Sequence, residues 1–342
     1  MAKPISISTY LSLNFTRSFF TIFLPLFFIG SLVFIIKLSA LTASLQIHFL
    51  EMVQLFGYNL PSILFYTLPI SFMVATVITL LRLSNDNELM AIFALGTRAK
   101  NIMYRFLIIA TLFSTVLLII SLALMPQTKQ QFTAFKQQKA AQAQVNINPS
   151  KLGQKFGNLF VYVKSKTANT LENIVIYNKD KGHSDQLFVA KSADIKTLDS
   201  IVTLTLKEGS GYTFSERSLK EIDYKKMQVF QSLKSEAFTY QNIVSYWAEL
   251  ALNPKKQGRI FFFIFASLIP LLSLYIIAAF SIINPRYNKN YAYAILSVTA
   301  ILFYAIASLL EKNGNLLLIA TAIGISIVIG QLLFKHFVSR YF

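Results

Sequence analysis

Leu83 to Arg98 reads LSNDNELMAIFALGTR, and this short stretch decides how the chain is folded. On either side lie apolar runs, Leu60 to Leu81 and Phe106 to Met125, that carry no charged residue. Asn85 followed three positions later by Glu88 has the spacing of a capping box, and Asp86 suits the positive end of a helix dipole. Gly96 fits a helix C-terminus, with Arg98 and Lys100 where cations suit its negative end. The spacing predicts a helix of about a dozen residues, ~18 Å long and too short to cross a bilayer. It therefore reads as a surface helix joining two membrane spans.

Composition agrees with spans on both sides of it. Of the 342 residues, 54% are hydrophobic, the mean hydropathy is +0.53 and the formal net charge is +17. That apolar fraction exceeds what an ordinary soluble domain carries. Six runs are long enough for a helix to cross a ~30 Å hydrocarbon core. They are Ser18 to Ile36, Leu60 to Leu81, Phe106 to Met125, Ile260 to Ile283, Tyr291 to Leu310 and Leu316 to Phe334. Pro25, Pro69 and Pro270 fall inside them and predict kinks. The first run is too long for a signal-peptide core and has no small-residue cleavage site behind it, so it is expected to stay in the mature protein.

Between the third and fourth runs the sequence changes character. PQTKQQFTAFKQQKAAQAQ, from Pro126, reads as a polar helix. LFVYVK, ENIVIYN, QLFVAK, IVTLTLK, GYTFSE and KMQVFQ then alternate with period two, and β-branched and aromatic residues are frequent in them. Strands so short and few do not make a membrane barrel. The expected fold is an α+β membrane protein: six transmembrane helices in a three-plus-three arrangement around an inserted sandwich or jellyroll-like β domain. The boundaries read as 1–125 for the first three helices, with the short surface helix at 84–96, 126–258 for the β domain and 259–342 for the last three helices.

Basic residues in the short loops give the orientation. Lys3, Arg17, Arg82, Arg98, Lys100, Arg105, Arg286, Lys289, Lys335 and Arg340 fall on one side, against Lys37 and Lys312 on the other. That asymmetry predicts cytoplasmic termini and an external β domain. The domain holds 19 Lys and Arg against 11 Asp and Glu, but long domains translocate largely regardless of charge. With no Cys in the chain, it must stand on its own core.

Leu89, Ile92 and Phe93 share one face of the short helix, which must be buried in the bilayer interface or against a partner. From spacing alone Glu88 is as well explained as a capping residue, and Leu89 and Phe93 as headgroup-level anchors. Asn87-Glu88-Leu89 through Ala94-Leu95-Gly96, however, resembles the coupling helix of the lipopolysaccharide-export permeases of the LptF/LptG family. The resemblance extends to the topology, to the FVAKSADI and LTLKEGSGY phrases of the β domain, and to Asn284-Pro285-Arg286. This last motif and Asn313-Gly314 look more like the LptF member, although Asn288-Lys289 replaces the usual Gly-Arg pair.

The resemblance implies an inner-membrane permease with a periplasmic β domain, paired with an LptG-like permease and seated on an LptB-like ATPase dimer. It would lift lipopolysaccharide from the membrane and pass it to an LptC-like bridge. It implies ATPase coupling through Glu88, Asp86, Leu89, Ile92 and Phe93, with Glu88 meeting an arginine of the ATPase. No Gly-Lys pair occurs in the chain, so it carries no GxxxxGK[ST] phosphate loop, and ATP chemistry is expected on a separate subunit.

For the lipid, Lys37 closes the first span at headgroup depth next to Phe34, where a cation suits a phosphate. A snorkelling interfacial lysine is the other reading of the same position, and the resemblance favours substrate contact. Phe303, Tyr304 and Ser308 of the fifth span are further candidates for the same cavity, or ordinary packing residues. Inward-facing strand residues such as Val161, Val163, Ile174 and Leu204 could line an apolar slot for acyl chains, but such residues usually form a filled core, and that is the reading kept for most of them. His48, His183 and His336 lie far apart and no carboxylate pair sits in a span, so neither metal, cofactor nor hydrolytic chemistry is expected. Nor is nucleic-acid binding. A mechanotransmission or scaffold protein that carries no lipid is the alternative class.

Overall fold

The computed structural model describes residues 6–45, 47–145, 154–156, 159–167, 170–179, 184–198, 201–215, 218–232, 240–249, 253–284 and 291–340. Its helices are α1 (Ile7–Leu45), α2 (Phe49–Asn85), α3 (Glu88–Ala94), α4 (Ala99–Ile119), α5 (Met125–Val145), α6 (Ile243–Ala248), α7 (Pro254–Ser281), α8 (Ala292–Asn313) and α9 (Leu316–Phe337). Among the described residues, six helical segments are long and apolar enough to cross a membrane, and each overlaps one of the runs expected from sequence. The third continues from α4 through a π-helical turn, Ile120–Leu124, into α5. Two compact units result. One comprises Met1–Leu38, Met52–Phe132 and Tyr240–Phe342, the other Ser39–Glu51 and Thr133–Thr239. The β unit is thus narrower at both ends than the expected 126–258.

Within the first unit, α2 and α7 form the middle of the bundle. In their most apolar stretches 61% and 56% of residues are buried, against 11% in α1 and 17% in α9, which therefore present most of their surface outward. Hydroxyl side chains in α2 are satisfied by their own helix: Thr67 donates to the Ile63 carbonyl, Ser71 to Thr67, Thr76 to Phe72 and Thr79 to Ala75, at 2.7–2.9 Å. Hydroxyls can enter an apolar helix in this way without leaving a donor bare.

The π turn has a local cause. Pro126 has no N–H to offer the Leu122 carbonyl four residues before it, and its ring crowds that position. The helix widens just upstream, and Trp247 of α6 donates its indole N–H to the Leu122 oxygen at 2.8 Å. Ser121, fully buried in the same turn, meets Ser267 of α7 at 3.1 Å. A proline that looks like a domain boundary in the sequence is thus absorbed into a continuous helix.

In the second unit, strands β1 (Gln154–Phe156), β2 (Leu159–Thr167), β3 (Thr170–Lys179), β4 (Ser184–Leu198), β5 (Ile201–Ser215) and β6 (Ser218–Ser232) form one antiparallel sheet in sequence order. Pairing runs to Thr167 with Thr170, Leu198 with Ile201 and Ser215 with Ser218, so β2 and β3, β4 and β5, and β5 and β6 are antiparallel neighbours over their whole adjoining ends. The expected jellyroll-like domain takes the form of one long creased sheet. The crease runs through Lys164, Asn173, Lys191, Glu208 and Lys225, where the pairing skips a position, and Asn173 and Glu208 take φ of 51° and 50°.

Inward positions are two apart within each half of the sheet but three apart across the crease, as in Leu171 and Ile174 or Ala190 and Ala193. Both halves thereby feed one cluster of Val161, Val163, Ile174, Ile176, Leu204 and Leu206. They are core, as their alternation implied. Beside the crease, Tyr224 of β6 reaches across β5 to donate to the Val189 carbonyl of β4 at 3.1 Å, and burial pushes its phenol pKa up. Gly209 is required there: a Cβ on it would lie 2.1 Å from the Val189 oxygen and 2.7 Å from the Tyr224 hydroxyl.

Gly209→Ala should therefore open the crease, lowering the β unit's melting temperature and exposing β5 and β6 to protease. Gly57→Ala, at a helical site with nothing within 4 Å of the added methyl, should leave both unchanged.

Candidate functional site

The short helix exists, but it is built differently from the capping box that the sequence suggests. Asn85 is the last residue of α2, and α3 begins at Glu88 and has seven residues instead of a dozen. Its N-cap is Asn87, held at φ 60° with no side-chain cap. Glu88 does not turn back to its own backbone because it has a stronger partner. The Tyr10 phenol of α1 donates to its Oε2 at 2.5 Å. A hydrogen bond to a charged acceptor is worth about 1.5–3 kcal/mol when shielded from water, and less at a half-exposed pair such as this one.

The C-terminus is closed as expected. Gly96, at φ 84°, donates to the Phe93 carbonyl at 2.9 Å and Thr97 to Ile92 at 3.4 Å, the two bonds of a Schellman motif. Leu89 is fully buried in this chain's own core with Leu11, Phe15, Leu83, Ile102 and Met103, and Ile92 and Phe93 pack against the same cluster. The apolar face expected to be buried against a partner is therefore spent inward, since α1, α2 and α4 converge on it. Leu95, 81% exposed, and the exposed Ala91, Ala94 and Asp86 form the outer face instead. Asp86 approaches Arg82 at 3.8 Å.

Ser84, invisible in the sequence as a functional residue, secures the base of this helix. Fully buried at the end of α2, it donates to the Ser281 carbonyl at 3.0 Å and accepts from the Ile283 N–H at 3.3 Å, closing the frayed end of α7.

At the opposite ends of the spans, the substrate candidates do not converge. Lys37 is exposed, while Phe34 is half-buried against Phe56 and Phe132, with ring centroids 6.2 and 6.4 Å away. Phe303 is buried edge-on to Phe265 at 5.9 Å. Tyr304 packs against the same cluster as Phe303 and sends its hydroxyl to within 3.5 Å of the Tyr66 carbonyl, and exposed Ser308 follows one turn later. Glu311, a further turn on, lines a polar cavity of about 430 Å³ with Lys129, Arg259, Tyr58, Asn59 and Tyr66. None of these six was anticipated. No sequence pattern marks them; the structure brings α7 and α8 so close here that a Cβ on Gly258 would lie 1.9 Å from the Glu311 carbonyl oxygen. Lys3, His183, Pro285, Arg286, Asn288 and Lys289 lie outside the described residues.

Ser84→Ala would strand a buried carbonyl and a buried N–H, at about 1–3 kcal/mol. The melting temperature of the purified protein in detergent should fall, while Ser84→Thr should recover most of the loss.

Comparison with known proteins adds to this geometry. No curated protein matches the chain. The sequence does match the family described as lipopolysaccharide export system permease LptF/LptG, over residues 9–335, a match that does not separate LptF from LptG. It takes in all six spans, α3 and the creased sheet. The chain belongs to the LptF/LptG family of lipopolysaccharide export permeases, a multi-pass inner-membrane permease subunit that is not itself an enzyme.

Proposed function

We propose that this chain is the LptF-like half of a transporter that extracts lipopolysaccharide from the inner membrane and passes it to a periplasmic bridge. The observation that carries the proposal is the family match over 9–335, joined to a chain with no phosphate loop of its own. The partners in this reading are an LptG-like permease, an LptB-like ATPase dimer and an LptC-like bridge protein. Both termini and α3 face the cytoplasm, and the creased sheet faces the periplasm.

In this reading α3 is the contact with the ATPase. Asp86, Ala91, Ala94 and Leu95 supply the touching surface. Leu89, Ile92 and Phe93 act from beneath, as the anchor that transmits force into α1, α2 and α4. Glu88 uses one carboxylate oxygen for Tyr10, and its other oxygen is available to an arginine of the ATPase. The little-buried α1, carrying exposed Phe28, Ile29, Leu32 and Ile36, suits a membrane-embedded interface with the second permease and the lipid.

Lys37 and the cavity cations Lys129 and Arg259 stand at the same end of the bundle and suit an anionic headgroup. Phe34, Phe303, Tyr304 and Ser308 remain assigned to the passage of the lipid. Phe303 belongs to an apolar cleft of about 720 Å³ between α8 and α9, and Tyr304 lies toward the polar cavity. For docking to the bridge protein, β6 is the favoured edge. It offers fifteen residues paired on one side only among the described residues, where β1 offers three.

Co-purification in mild detergent, followed by transport assays in proteoliposomes, tests this. Recovery of a second six-span permease, an ATPase and bound lipopolysaccharide is expected. Leu95→Glu should weaken ATPase association at least tenfold. Repeated recovery of the chain without an ATPase or lipid would overturn the reading.

A further inference from the structure

Helix α3 follows α2 and precedes α4 in the chain, with two residues before it and four after it, but it has no covalent link to α1. Its contacts divide its two acids. Asp86 leans on Arg82 of α2, and Glu88 reaches across 78 residues of sequence to Tyr10 of α1. This is the only side-chain hydrogen bond that Glu88 makes among the described residues. It is reinforced by apolar packing from the same two helices. Leu11 and Phe15, one residue and just over one turn beyond Tyr10, are 1% and 2% exposed in the cluster that holds Leu89.

We propose that Tyr10 is a positioning residue for coupling: its phenol clamps Glu88 so that α3 and the adjoining end of α1 move as one body. A displacement imposed on α3 is then delivered to the first span. This rests on the reading that α3 meets an ATPase. The clamp is chemically economical. A phenol donates one proton and brings no competing charge, so it fixes the carboxylate without neutralising it and leaves Oε1 for a cation from outside. An arginine or lysine at position 10 would hold the same distance but cancel that charge. A phenylalanine would keep the ring packing and lose the clamp. Of the six spans, α1 has the smallest buried share in its apolar stretch, so its restraint is concentrated at the Tyr10, Leu11 and Phe15 end, where a well-directed hydrogen bond has leverage.

The test uses the full assembly in proteoliposomes with lipopolysaccharide. Wild type, Tyr10→Phe, Glu88→Ala and the double variant are compared for ATPase association, hydrolysis rate, melting temperature and lipid moved per ATP. Tyr10→Phe is expected to keep association, melting temperature and hydrolysis within about twofold of wild type while lipid moved per ATP falls five- to tenfold. The double variant should be no worse than Glu88→Ala alone. Unchanged lipid per ATP in Tyr10→Phe overturns the clamp while leaving the transporter reading intact. Early melting or lost association in Tyr10→Phe assigns Tyr10 to packing and also overturns it. A wild-type chain that binds no ATPase overturns the transporter reading and the clamp together.

Discussion

A backbone carbonyl or N–H inside hydrocarbon has no water to bond, so each must find its partner within the protein. Much of what is distinctive in this chain answers that constraint. The hydroxyls of α2 return to their own helix, Trp247 supplies the donor that Pro126 withholds, and Ser84 closes the end of α7. These are single hydrogen bonds, each modest in water. Their weight comes from the cost of leaving a buried polar group bare.

The same economy shapes the short surface helix. A seven-residue helix cannot be stable alone, since helix nucleation costs more than so few hydrogen bonds return. Helix α3 exists because Leu89 is buried among α1, α2 and α4 and because Gly96 closes its end, and Tyr10 then fixes its first carboxylate. A helix held in this way is part of the bundle. Whatever touches Leu95 and Asp86 pushes on the first, second and third spans together.

The β unit solves a different problem. With no disulfide available, six strands paired in sequence order must bury a core by bending one sheet on itself. The crease through Asn173 and Glu208 does this by shifting the inward positions by one residue in each strand it crosses. Gly209 and Tyr224 lock the bend, and the LTLKEGSGY phrase is the sequence trace of that lock.

The six spans, the inserted strands and the surface helix were legible in the chain because hydrophobic length and periodicity are local properties, set by the ~30 Å of hydrocarbon and the period of each element. The closing role of Gly96 was legible too, since a left-handed position after a helix selects glycine. The destination of Glu88 was not: capping-box spacing and a long-range acceptor look identical until α1 is placed beside α3. Nor could spacing tell that Leu89 is consumed inside, that the Tyr304 hydroxyl meets the Tyr66 carbonyl, or that Lys129, Arg259 and Glu311 meet around one cavity. Those outcomes depend on which helices are neighbours, and only the tertiary packing decides that.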